Sequence, residues 1–206
     1  MNRVLIIGPT TIDQVKGPGI SVIKMGGVTT YSGITFRKHD LDATVVSKIA
    51  KKDHELFQIF KDQGIELLNG STENTTVFVN HISGNDRRQE MPARSASITA
   101  DQARHAIGST DHVHLGPLHP LDLATDLLRL LQKEKPVVSL DVQGYIRRVD
   151  RGRVRQKTGI SQRLNRALLA SSVIKGDRAE IQAILDGRQV TIEDLICLYG
   201  LDEVVI

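Results

Sequence analysis

The chain has 206 residues, is 40% hydrophobic and 25% charged, and carries a formal net charge of +3. This is the composition of one soluble globular domain spanning 1–206; no apolar run reaches the ~20 residues of a membrane helix, and the charge is too small to argue for a polyanionic partner. The single cysteine, Cys197, excludes an intrachain disulfide, is expected to pack in the core, and fits a cytoplasmic location.

MNRVLIIG enters a strand-like run at once, so no signal peptide is expected, and RVLIIG reads as a first core strand. GGVTTYSGITFRKH then reads as a helix and ATVVSKIA as a second core strand. The segments at about 14–24 and 74–91 break this rhythm. TTVFVNHI and RRQEM flank the turn SGND and alternate as an antiparallel hairpin does, which predicts a small accessory sheet over one end of the main one.

After residue 95, helical and apolar runs alternate, the mark of an α/β protein with a parallel sheet. Thr99 with Gln102 forms a candidate capping box ahead of the run HVHLG. In HPLDLATDLLRLLQKE, Pro120 suits a first helical turn, and Leu121, Ala124, Leu127, Leu128 and Leu131 share one face. PVVSLDV is a strand, SQRLNRALLAS a helix, SVIKGD a strand, RAEIQAILDG a helix stopped by Gly187, and TIEDLICLYG a helix closed by Gly200. DEVVI is the next strand. The run RRVDRGRVRQK, 147–157, holds six basic residues against one acid with no interleaved aromatic, which reads as solvated surface and disfavours nucleic acid.

Ligands of open parallel sheets bind at the carboxyl ends of the strands, so the residues after each apolar run are the candidates. These are Asp13 in GPTTID; Gly26 and Gly27 before a helix; GPLHP; Asp141, Gln143 and Arg147 in DVQGYIR; and Asp177 and Glu180 in KGDRAE. The Gly-Gly pair allows a ligand to approach a helix start, or is only a tight turn. Asp13 can hold a hydroxylated substrate or cap a turn. Asp177 and Glu180 can order water around a divalent ion, or are acids favoured by a helix N-terminus. His112 and His114 share a strand face, yet His105 and His119 add no metal-like spacing to them.

In their order, RVLIIGPTTID, KMGGVTTYSGITFRKHDLDATVVSKIAKKD, HLGPL, LDVQGYIR and VIKGDRAE resemble the ribokinase-like, phosphofructokinase-B type carbohydrate kinases, over essentially the whole chain. The resemblance implies a ribokinase-like parallel sheet flanked by helices, with the accessory sheet as a lid. It implies a phosphotransferase that moves the terminal phosphoryl group of ATP to a sugar or nucleoside hydroxyl with Mg2+. Asp13 matches the acid that binds substrate hydroxyls, and Gly26 and Gly27 match the glycine pair of the substrate pocket. Tyr31 stands where many members have a sugar-contacting Asn, and Asp141, Gln143 and Arg147 fall in a segment assigned to the substrate. Asp177 and Glu180 fall on the Asn-x-x-Glu motif that organises magnesium through water, with Asp in place of Asn.

The Gly-Ala-Gly-Asp segment that supplies the base and anion hole in such kinases does not occur in the 206 residues. The base is expected beyond residue 206, so no catalytic residue is assigned. The chain resembles about the first two-thirds of a kinase and is expected to be inactive alone. The alternative expectation is a non-catalytic sugar-binding or regulatory protein of the same ancestry. A lid sheet is also compatible with a homodimer.

Overall fold

The computed structural model describes residues 2–84, 86–186 and 190–206. From the N-terminus, β1 (Arg3–Ile7), β2 (Thr11–Gly17), β3 (Ile20–Gly26), α1 (Val28–Lys38) and β4 (Asp42–Ser47) are followed by a 3-10 helix over Lys51–Phe57 and the short α2 (Ile59–Asp62). Next come β5 (Glu66–Asn69), β6 (Thr76–Ser83), β7 (Asp86–Ala93), α3 (Ala100–Ile107), β8 (His112–Leu115), α4 (Thr125–Glu134) and β9 (Val137–Asp141). A 3-10 turn over Val142–Ile146 leads into β10 (Arg147–Asp150) and β11 (Arg153–Gln156). The chain then forms α5 (Gln162–Leu168), β12 (Val173–Lys175), α6 (Arg178–Leu185), α7 (Ile192–Tyr199) and β13 (Glu203–Val205).

Seven strands in the order β13-β12-β9-β8-β1-β4-β5 form the main sheet, and every neighbouring pair is parallel. Its apolar strands follow from burial on both faces. In β1, Leu5 and Ile7 join one core cluster with the leucines of α4 and α5, while Val4 and Ile6 join a second with Phe57 and Phe60. No helix among the described residues is long and apolar enough to cross a membrane.

A second sheet runs β10-β11-β7-β6-β2-β3. The hairpin predicted around SGND forms as β6 and β7, and β2 pairs antiparallel with β3 but parallel with β6. With six strands it is no small appendage, and it reaches beyond 14–24 and 74–91 at both ends and in the later chain. The basic run read as a surface loop is the hairpin β10–β11, its turn made by Arg151 and Gly152, both at positive φ. Val149 and Val154 are paired across that hairpin and pack on Phe78, Met91 and Leu118, which joins the second sheet to the rim of the first. Two valines among six cations left the period-two pattern invisible.

Three further expectations are corrected. Thr99 caps α3 without a side-chain bond, because Gln102 instead donates to the carbonyls of Ser47 and Leu68 on the main sheet. Helix α4 begins at Thr125, later than Pro120. Residues 118–122 are pinned in a turn by Asp122, and Leu123 bridges to Ile98, which leaves Leu121 exposed. Cys197 is exposed, since α7 buries Leu195 and turns Cys197 and Leu198 outward. Gly187 lies outside the described residues.

Candidate functional site

The strands of the main sheet end on a common rim, and the second sheet stands over it. Between them is a cleft of about 450 Å³ lined by Asp13, Gly27, Tyr31, Asp141, Gln143 and Arg147, among others. Six of the nine residues singled out from the sequence therefore meet in one place, although they come from three separate stretches of chain.

Asp13 projects from β2, half-buried, and its Oδ1 accepts from the Thr11 hydroxyl at 2.8 Å. Gly26 sits directly behind it: a Cβ there would lie 2.3 Å from Asp13 Oδ2. Gly27 caps α1 with φ 92°, and a Cβ would come 2.6 Å from the Pro9 carbonyl. Both glycines are required by close approach, and together they present the first turn of α1 to the cleft beside the carboxylate. Tyr31, on the same helix, is 53% exposed.

On the opposite wall, Asp141 ends β9 almost fully buried. Its Oδ1 accepts from the Gln143 backbone N–H at 3.1 Å and its Oδ2 from Lys175 Nζ at 3.1 Å. The Gln143 side chain donates to Glu180 Oε1 at 2.9 Å. Arg147 leaves the same 3-10 turn, and its guanidinium lies 5.6 Å from the centre of the Phe78 ring. Burial is the main cause that lowers the Arg147 pKa, with Glu180 and Asp141 opposing it and Arg87 adding to it.

Asp177 and Glu180 lie next door, in an adjoining cleft of about 320 Å³ that shares Arg87, Gln89, Gln143 and Arg147 with the first. They form a reciprocal capping box at the start of α6: Asp177 Oδ1 accepts from Glu180 N at 2.8 Å and Glu180 Oε2 from Asp177 N at 2.9 Å. Among the described residues no group of three His, Cys, Asp or Glu side chains is placed to hold a metal. The capping box thus commits one oxygen of each acid to the helix start, which fits contact with a cation through water and not a direct cage.

Several lining residues were not singled out from the sequence. Arg87 and Gln89 reach in from β7, both donating to Asn80 Oδ1, and Phe78 forms part of the roof. Their alternation along β7 was a readable signal, but which face meets the rim was not. His114 also lines the cleft. Its Nδ1 and the Nε2 of His112 each lie 2.8 Å from the Ser139 hydroxyl, so the pair share a serine. Burial holds the His114 imidazole down to about 4, Asp141 opposing and His112 and Lys175 reinforcing the effect.

No known protein family and no curated protein matches the sequence. Solved structures do. A pyrophosphate-dependent kinase in the ribokinase family, complexed with a pyrophosphate analogue and myo-inositol, superposes with TM-score 0.80 at 19% identity, covering 96% of this chain and 68% of that one. Ribokinase from Thermotoga maritima gives 0.73 at 14% identity, covering 99% of this chain and 71% of that one. Fructokinase with bound ATP from Xylella fastidiosa gives 0.75 at 13% identity over 100% of this chain and 69% of that one. The chain spans about two-thirds of the length of the kinases it matches (66% in one case), and over that span it has the ribokinase-like fold.

Proposed function

We propose that the cleft is the acceptor site of a carbohydrate kinase, holding a sugar, polyol or nucleoside whose hydroxyl receives a phosphoryl group. The observation that carries this reading is Asp13, a half-buried carboxylate beside the glycine-bounded start of α1, facing the polar wall of Asp141, Gln143 and Arg147 across the cleft. An ionised carboxylate accepts strongly from hydroxyls, and the helix start favours negative charge next to it. Tyr31 borders the acceptor, and Gly26 and Gly27 let it approach the backbone. The second sheet acts as a lid that excludes water from the acceptor. Asp177 and Glu180 would hold Mg2+ through water, and the ion would supply charge neutralisation on the phosphates of the donor, ATP or, as for the pyrophosphate-dependent kinase above, pyrophosphate.

Residues 1–206 contain no counterpart of the Gly-Ala-Gly-Asp base and anion hole. In a second reading these residues bind acceptor without transferring a phosphoryl group, the cleft offering hydroxyl-binding groups in Asp13, Gln143 and Arg147. Two assays separate the cases. Thermal unfolding of the 206-residue chain with a panel of sugars, polyols and nucleosides and their carboxylate and phosphate derivatives should show stabilisation by at least one, weakened roughly tenfold in affinity by Asp13→Asn. Acceptor-dependent consumption of ATP or pyrophosphate would establish transfer; binding without consumption would establish the second reading. Absence of any acceptor effect would remove both.

The edge strand β3 exposes Ile20, Val22 and Ile23, which supports pairing of the lid with a second copy of the chain. Ile23→Glu should then shift the solution mass from dimer to monomer. The exposed free thiol of Cys197 is in keeping with a cytoplasmic protein.

A further inference from the structure

The cleft has two chemically different ends. At one stands Asp13. At the other, the guanidiniums of Arg87 on β7 and Arg147 at the start of β10 converge from separate strands of the second sheet, close enough that Arg87 disfavours the charge on Arg147. Like charges brought together at a partly desolvated site need a counterion. Among the described residues, Glu180, Asp141 and Asp122 favour the Arg147 charge from a distance, but no carboxylate is in ion-pair contact with either guanidinium.

None of the ion pairs among the described residues involves Arg87 or Arg147. The two acids nearest Arg147 electrostatically are engaged elsewhere. Asp141 has Lys175 Nζ on one oxygen and Gln143 N on the other, and Glu180 has the Gln143 side chain on one and Asp177 N on the other. Arg87 spends Nε and Nη2 on the neutral Asn80 carbonyl, and Arg147 rests on the face of Phe78. Both side chains are held in place by neutral partners, with their charge turned to the cleft and no carboxylate in ion-pair contact with either.

Resting on the acceptor reading above, we propose that the acceptor is an anionic polyol, a sugar acid or a sugar that already carries a phosphate. Its oxyanion group is received by Arg87 and Arg147 while its hydroxyls meet Asp13. A guanidinium pair suits either oxyanion, because planar donors match both carboxylate and phosphate oxygens.

The test is calorimetric titration of the 206-residue chain with matched neutral and anionic probes: glucose, glucuronate and glucose 6-phosphate; ribose and ribose 5-phosphate; myo-inositol and its monophosphate. Inorganic phosphate and pyrophosphate are titrated alone. In at least one set the anionic member should bind roughly tenfold or more tightly than its neutral parent, the value expected of a charge-assisted contact. The carboxylate and phosphate arms say which oxyanion is taken. The difference should shrink with added salt and vanish in Arg87→Gln and in Arg147→Gln, with part retained in Arg87→Lys. Arg87 is the second variant because Arg147 also packs on Phe78, and the unfolding midpoint of each unliganded variant checks that it folds.

Neutral and anionic members binding equally well would overturn this proposal while leaving the acceptor site intact. Pyrophosphate binding alone as tightly as the best anionic sugar, and displacing it, would assign the guanidiniums to the phosphoryl donor and overturn it too. Inorganic phosphate binding through the arginines with no sugar bound at all would instead remove the acceptor reading, and this proposal with it.

Discussion

Asp122 shows how a single buried carboxylate shapes this rim. It is 2% exposed, and its Oδ2 accepts from the backbone N–H groups of Leu118 and His119, both at 2.8 Å, with Arg94 Nη1 3.6 Å from the other oxygen. That turn carries Leu118 into the cluster that seats the second sheet. Burial pushes the carboxyl from 3.8 up to about 6 against those hydrogen bonds. The folded chain therefore holds this proton more tightly than the unfolded one, and the contribution of Asp122 to stability falls as pH rises through that window. Asp122→Asn keeps an oxygen acceptor without the charge, so its unfolding midpoint relative to the parent should be higher at pH 7 than at pH 4.5. Asp122→Ala leaves two N–H groups without their acceptor and should cost on the order of 2 kcal/mol in denaturant unfolding. His114 has the opposite sign. Its folded value of about 4 lies below the ordinary 6.5, so its contribution is present above that pH and is lost as pH falls toward 4. The groups that act on it are Asp141, His112 and Lys175, and His114→Gln should lose less stability than the parent between pH 6.5 and 4.5. Asp13, Asp141, Gln143 and Arg147 were legible in the sequence because each follows an apolar run or a glycine turn. Arg87, His114 and Lys175 were not, since only the meeting of two sheets turns them toward one cleft.

Among elements, the start of α1 depends most on one residue. Gly27 stands at φ 92° with the Pro9 carbonyl 2.6 Å from where a Cβ would be. Gly27→Ala should destabilise the chain by about 1–3 kcal/mol and displace the loop after β1. Loss of stability within a few tenths of a kcal/mol would show that the loop yields without strain. The hairpin β10–β11 is the element that sequence reading missed. Its apolar inward residues are Val149 and Val154, and the cations around them conceal the alternation. α4 was placed early for a related reason: the leucine spacing is helical from Leu121 onward, but the bonds of Asp122 to the preceding backbone hold that stretch in a turn. The capping box at Thr99 failed because a partner distant in sequence, the main-sheet carbonyls, competes for Gln102, whereas the box at Asp177 formed between neighbours and left its acids at the cleft.

For the molecule as a whole, the cleft exists only where two sheets meet, so its occupant couples them. An acceptor touching Asp13 on β2 and Gln143 beyond β9 should stabilise the native state by about 2.7 kcal/mol at a concentration one hundred times its Kd. Hydrogen exchange should slow in β2, β3, β6 and β7 together; protection confined to the main sheet would mean that the second sheet takes no part. By itself the sequence determined the parallel α/β sheet, six of its seven strands with most of the helices between them, the SGND hairpin and the strand-end residues that line the rim. Each of these is written in a window of a dozen residues, as a period, a cap or a glycine turn. Only the tertiary structure decided that Thr11–Lys16 pairs with Thr76–His81, that the basic run completes the second sheet, that Cys197 faces outward, and that Arg87 and Arg147 share one cleft. Those outcomes are contacts between residues far apart in the chain, settled by which surfaces can be buried together, and no local pattern carries that information.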